Sequence, residues 1–136
     1  MRNKILALAI VVACLPLAGC KKDAEVKTIL ADFDTFTTEI AKRVDSASNL
    51  AAGVDDAQKY FDSKKADMMA KMDKLKGIRG YQVSDETKKT MESSLVEDAK
   101  KIGNLQIKYI GTSMRDAAFK AKLDKLTRDY QSLFKM

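Results

Sequence analysis

The chain has 136 residues with 25 basic and 19 acidic side chains, a formal charge of +6, no histidine, no tryptophan and two cysteines. That length suits one domain. The missing imidazole removes serine–histidine and cysteine–histidine nucleophiles, imidazole zinc sites, the Glu-x-x-His element of di-iron bundles and Cys-x-x-Cys-His haem attachment. The basic excess is mild and has no arginine cluster, which argues against nucleic acid as a partner.

Taken in chain order, Arg2 and Lys4 precede an apolar run from Ile5 to Ala18 that is too short to span a bilayer. Small residues follow, in the order expected of an export signal. The run closes on Leu17-Ala18-Gly19-Cys20, which resembles the lipobox of bacterial lipoproteins. The resemblance implies cleavage before Cys20, a diacylglycerol thioether on its sulfur and acylation of the new amino terminus, so that the membrane becomes a partner through Cys20. By the same resemblance, Lys21 rather than aspartate after the cysteine implies the outer membrane, facing the periplasm, in a cell with two membranes. In a single-membrane cell it implies the outer face of the cytoplasmic membrane. The expected organisation is a signal over 1–19, a lipidated cysteine and short tether over 20–23, and a helical domain over 24–136. Arg2 and Lys4 are the only charges in the signal, so the body keeps a formal +4. Cys14 and Pro16 leave with the signal, so the body has neither a disulfide nor a proline and must hold together by packing of regular elements.

From Ala24 to about Leu50, Val26, Ile29, Leu30, Phe33, Phe36, Ile40, Val44 and Ala47 recur at steps of three and four, which predicts an amphipathic helix and excludes a strand. Thr35, Thr37 and Thr38 within it are poor helix formers, implying a locally weak turn or hydroxyls bonded back to the helix. A second helix is predicted over about Asp55 to Lys76, with Asp55 or Asp56 as N-cap, Gly77 as terminator and a stripe of Ala57, Tyr60, Phe61, Met68, Met69, Met72 and Leu75. Residues Gly77 to Val83 read as a short connection. Ser84 then caps a third helix, with Asp85 and Glu86 complementing its positive end and Met91, Leu95, Ala99, Ile102, Leu105 and Tyr109 as its stripe. Gly103 is a weakness of about 1 kcal/mol or a point of close approach. Gly111-Thr112-Ser113 reads as a stop and a new cap before a fourth segment carrying Met114, Ala118, Phe119, Leu123, Leu126, Tyr130 and Leu133. Segments of roughly 22 to 27 residues would each be about 33 to 40 Å long. The expected fold is all-α, an antiparallel up-and-down four-helix bundle. The alternative is an extended three-helix hairpin, should the chain run helically through Gly111 to Ser113.

Three features bear on chemistry. The body's glutamates, Glu25, Glu39, Glu86, Glu92 and Glu97, could in principle supply a carboxylate pair for glycoside hydrolysis, but no pair has a privileged setting and lysines four residues away suit surface pairing. Met68, Met69 and Met72 stand at helical spacing and could bind Cu(I) as a periplasmic metal site, yet the same positions lie on the apolar stripe, where methionine fills gaps. Ile78, Arg79 and Tyr81 form a candidate partner contact in the second connection, with plugging of the bundle end by Ile78, Tyr81 and Val83 as the plainer reading. Lys64-Lys65, Lys88-Lys89 and Lys100-Lys101 read as solvated faces, with anionic lipid or wall polymer as the alternative. No cofactor and no catalytic residue is assigned. The expected function is that of a lipid-anchored cell-envelope helical protein, a non-catalytic binding or structural module with an inhibitor, immunity, assembly or chaperone-like role. Its partners are the membrane and an envelope protein or wall polymer. The alternatives are a metal-handling protein and, behind it, a carboxylate wall hydrolase.

Overall fold

The computed structural model describes residues 22–135, and among these every regular element is helical: α1 (Asp23–Asp45), α2 (Leu50–Gly77), a 3-10 turn (Gly80–Gln82), α3 (Asp85–Lys108), α4 (Ile110–Ser113) and α5 (Ala117–Ser132). Cys20 and the segment 1–19 lie outside the described residues.

Local chemistry sets the boundaries. Asp23 and Glu25 sit in the first turn of α1 and Lys42 and Arg43 in its last, each favourable to the helix dipole. Asp23 already belongs to α1, which shortens the tether expected over 20–23. Asn49 caps α2 by accepting from the Ala52 amide, so the helix begins at Leu50 and not at Asp55 or Asp56. Those two acids pair across helices instead, Asp55 with Lys122 at 2.5 Å and Asp56 with Arg43 at 2.7 Å. Ser84 caps α3 as expected, accepting from the Thr87 amide. The stop expected at Gly111 to Ser113 is displaced. The Ser113 amide donates to the Tyr109 carbonyl, so a helical turn continues past Tyr109, and the break falls at 114–116, where Asp116 caps α5 by accepting from the Phe119 amide. The three-helix hairpin does not form.

Successive long helices run in opposite directions, giving an all-α bundle of α1, α2, α3 and α5. Contacts between long helices join α1 to α2 and α3, and α5 to the same two. The connection over 78–84 therefore crosses one end of the bundle diagonally, beside the start of α1, where the Lys22 amide donates to the Gln82 carbonyl and the Ser84 amide donates to Asp23. Side chains reach across the axis between α1 and α5. Phe36 stands 5.9 Å from Phe61, 5.9 Å from Tyr60 and 6.1 Å from Tyr130, ring centre to ring centre. Each such pair adds about 0.5–1.5 kcal/mol to what burial alone supplies. The Thr37 and Tyr130 hydroxyls meet in this core at 2.5 Å, so Thr37 bonds across the bundle and not back along its own helix.

The helices are unequal, contrary to the matched lengths expected. With 28 residues α2 extends about 42 Å, whereas the 16 residues of α5 extend about 24 Å. Past Phe134 the bundle has three helices, and an apolar groove of about 260 Å³ lined by Met72, Leu75, Met91, Leu95 and Phe134 occupies the fourth position. Among the described residues, all the buried hydrophobic ones lie between Val26 and Leu133, so a body starting at Lys21 keeps each of these core side chains. No described helix is long and apolar enough to cross a membrane.

Several stripe residues turn out elsewhere. Met69, Ala99, Met114 and Ala118 are exposed. In α3 the buried run is Asp98, Ile102 and Leu105, with Met91, Leu95 and Tyr109 packed at its edge. The heptad-like step of four and three thus falls on Asp98 and not on the expected Ala99.

Candidate functional site

The connection that carries Ile78, Arg79 and Tyr81 is held firmly. The Arg79 amide donates to the Gln82 side chain at 2.8 Å, and the Gln82 amide donates back to the Arg79 carbonyl at 2.8 Å. Ile78 packs against the core and Val83 is buried, so the plug consists of those two. Tyr81 is 77 % exposed, and the turn presents it beside Arg79. The turn also lies against the start of α1, since Lys22 and Asp23 make the two bonds that pin it.

The methionines separate. Met68 and Met72 are buried among core side chains, while Met69 is half exposed. Met68 borders a cleft with Asp32, Tyr60 and Lys71, whereas Met69 and Met72 border another with Ser132 and Leu133. Although 68, 69 and 72 lie within one helical arc, Met68 and Met69 border different clefts and the three thioethers do not converge on one cavity. Among the described residues no group of three histidines, cysteines or carboxylates has the arrangement of a metal site.

The glutamates are dispersed. Glu25 pairs with Lys22 at 2.5 Å and Glu39 with Arg43 at 3.0 Å. Glu39 shares Arg43 and a cleft with Asp56, and Glu97 lines a cleft of about 240 Å³ between α1 and α3 with Asp34 and Asp98. Asp98 is 1 % exposed. Lys101 donates to its Oδ1 at 3.2 Å and to Asp34 as well, clamping α3 to α1, while Asp98 Oδ2 is buried without a protein partner. Burial pushes the Asp98 carboxyl up from its ordinary range, against the pull of Lys101 and with help from Asp34 and Glu97. The sequence signal for Asp98 is its position, an acid at an apolar step of the heptad.

A second surface escaped the sequence reading. Ile107, Ile110 and Met114 are 71 %, 61 % and 83 % exposed, and at steps of three and four they share one face of the α3–α4 extension. Val96, also exposed, and Gly103, with open space around its Cα, continue that face toward the middle of α3. The stripe stands opposite the buried run of Ile102 and Leu105. Its signal was a second apolar series at helical spacing, running beside the one that packs. The platform is fixed by Lys108 to Asp45 at 2.8 Å, by the Tyr109 hydroxyl donating to Asp45 at 2.6 Å, and by Tyr109 set edge-on to Phe119. These contacts place the stripe near the end of α1, the opposite end of the bundle from the Arg79–Tyr81 turn.

Compared with known proteins, the chain matches no family model, no curated protein and no solved structure.

Proposed function

We propose that the protein is a lipid-anchored, cell-envelope helical module that binds a partner protein and carries out no catalysis itself. The observation that carries this reading is the exposed stripe of Ile107, Ile110 and Met114 on a helix end held in place by Asp45 and Phe119. Clustered aliphatic side chains that face solvent on a rigid element favour an interaction surface over a merely tolerated exposure. The lipobox-like Leu17-Ala18-Gly19-Cys20 supplies the anchor in this reading. With α1 at 23 residues, or about 35 Å, the stripe would stand that far above the bilayer when the bundle is upright. Lys21 after the cysteine favours the outer membrane, periplasmic side, in a two-membrane cell.

Lys100 and Arg115, both exposed, flank the stripe, so the partner surface is an apolar ridge edged with carboxylates. A narrow helical stripe suits one dedicated partner, as an inhibitor or an assembly factor would have, better than the broad apolar surface of a holdase. The test is the double substitution Ile107→Asp with Ile110→Asp in the full chain. Because both side chains are exposed, the variant should melt within a degree or two of the native protein while losing its stoichiometric crosslink to an envelope protein. Retention of the same crosslinked protein at the same yield would remove this reading.

A further inference from the structure

We infer that the Arg79–Tyr81 turn is a second membrane contact that docks on anionic lipid headgroups beside the anchor. The inference rests on the lipid-anchor reading and goes beyond it by assigning the lipid-facing end of the fold. Three observations lead there. The first is position: the Lys22 amide donates to the Gln82 carbonyl at 3.2 Å and the Ser84 amide to Asp23 at 2.9 Å, and the two-residue step from Lys22 back to Cys20 covers at most about 7 Å. A lipid on Cys20 therefore brings this turn, and no other connection of the bundle, to the headgroup layer.

The second observation is chemistry. Tyr81 is the most exposed aromatic residue described, and Arg79 has no carboxylate partner among the described residues. Tyrosine settles at the membrane–water boundary because its ring is apolar and its hydroxyl is wet. A free guanidinium matches a lipid phosphate with paired donors. Lys88, whose side chain lies about 4 Å from where a side chain on Gly80 would begin, is already paired with Asp85 at 2.7 Å, so among the described residues Arg79 is the turn's unpaired cation. The third observation is rigidity. The reciprocal Arg79–Gln82 bonds and the buried Val83 hold the turn in one shape, so little ordering is lost on docking. A protein partner on this turn would have to share the space with the bilayer, which argues for lipid as the occupant.

Docking here would hold the bundle upright and keep the Ile107–Met114 stripe turned away from the lipid. The test uses the body starting at Lys21, floated with vesicles of phosphatidylcholine with or without phosphatidylglycerol. The body should bind only the anionic vesicles, and Arg79→Glu should weaken that binding about 10- to 30-fold, the effect of reversing one near-surface charge. Lys42→Glu, an equal change of net charge in the last turn of α1 at the other end, should leave binding within about twofold, and Tyr81→Ser should weaken it without any charge change. Equal losses from Arg79→Glu and Lys42→Glu, or no binding to anionic vesicles, would overturn the docking. So would an Arg79→Glu variant that loses a protein crosslink while keeping its lipid binding. The anchor reading fails separately, if the amino-terminal peptide of the protein taken from envelopes lacks diacylglyceryl mass on Cys20.

Discussion

Two glycines within helices should answer the same substitution with opposite signs. A methyl group at Gly53, in the first turn of α2, would stand 2.5 Å from the Ala47 Cβ, 2.8 Å from the Arg43 carbonyl oxygen and 3.2 Å from the Val44 carbonyl oxygen. Two of these are backbone atoms of α1, which cannot swing aside, so α2 must move away from α1 at the point where the hairpin turns. Overpacking of this kind costs about 1–3 kcal/mol. Removing the glycine returns about 1 kcal/mol of helix propensity, leaving Gly53→Ala a net loss of up to about 2 kcal/mol. At Gly103 a methyl group would meet nothing within 4 Å, so Gly103→Ala should gain close to the full ~1 kcal/mol. At about 4 °C per kcal/mol for a domain near this size, calorimetry of the body should separate the two variants by roughly 4–12 °C, with Gly103→Ala above the native protein and Gly53→Ala below it. A Gly53→Ala variant that gains stability as Gly103→Ala does would refute the close packing of α1 on α2.

Asp98→Asn should raise the melting temperature at pH 7.5. A carboxyl whose folded pKa lies above its unfolded value costs stability once pH exceeds the folded pKa, and that cost fades as pH falls toward the unfolded value of 3.8. The two proteins should therefore converge near pH 4 in a thermal-shift series, and an Asn variant less stable at pH 7.5 would contradict burial as the dominant influence. Tyr130→Phe leaves the Thr37 hydroxyl without its partner in the core and should cost about 1–3 kcal/mol by urea unfolding. Adding Thr37→Val should then recover part of that loss, since both polar groups are gone. Met68→Ala, in the core, should cost about 2–5 kcal/mol, whereas Met69→Ala, half exposed, should stay within about 0.5 kcal/mol by the same assay.

Helix identity was legible wherever one apolar face repeats at steps of three and four. Val26 to Val44 in α1 needed only that pattern, because each of those side chains meets a neighbour on the same side. Caps were legible where a single candidate stood at the right place, as at Ser84. At α2 the acids Asp55 and Asp56 outweighed the better-placed Asn49, because a cap depends on backbone shape that composition does not reveal. The α3–α4 region misled for a different reason. It carries two apolar series, and local spacing does not say which one meets the bundle. That choice belongs to the diagonal arrangement in which α3 packs on both α1 and α5, and it put Asp98 inside and Ala99, Ile107 and Met114 outside. Likewise, the sequence offered Arg79 and Tyr81 as a contact, but only the pairing of Gln82 with Lys22 locates that contact beside the start of α1.

What touches the α3–α4 face in the cell decides between a protein-binding module and a solvated helix end. A photoreactive residue at Ile107 and, as a control, one at the exposed Glu92, more than a dozen residues nearer the start of α3, should be activated in intact cells. One discrete protein adduct is expected from position 107 and none from position 92. Adducts only to lipid, or the same adducts from both positions, would contradict a protein-binding face on this end of the bundle.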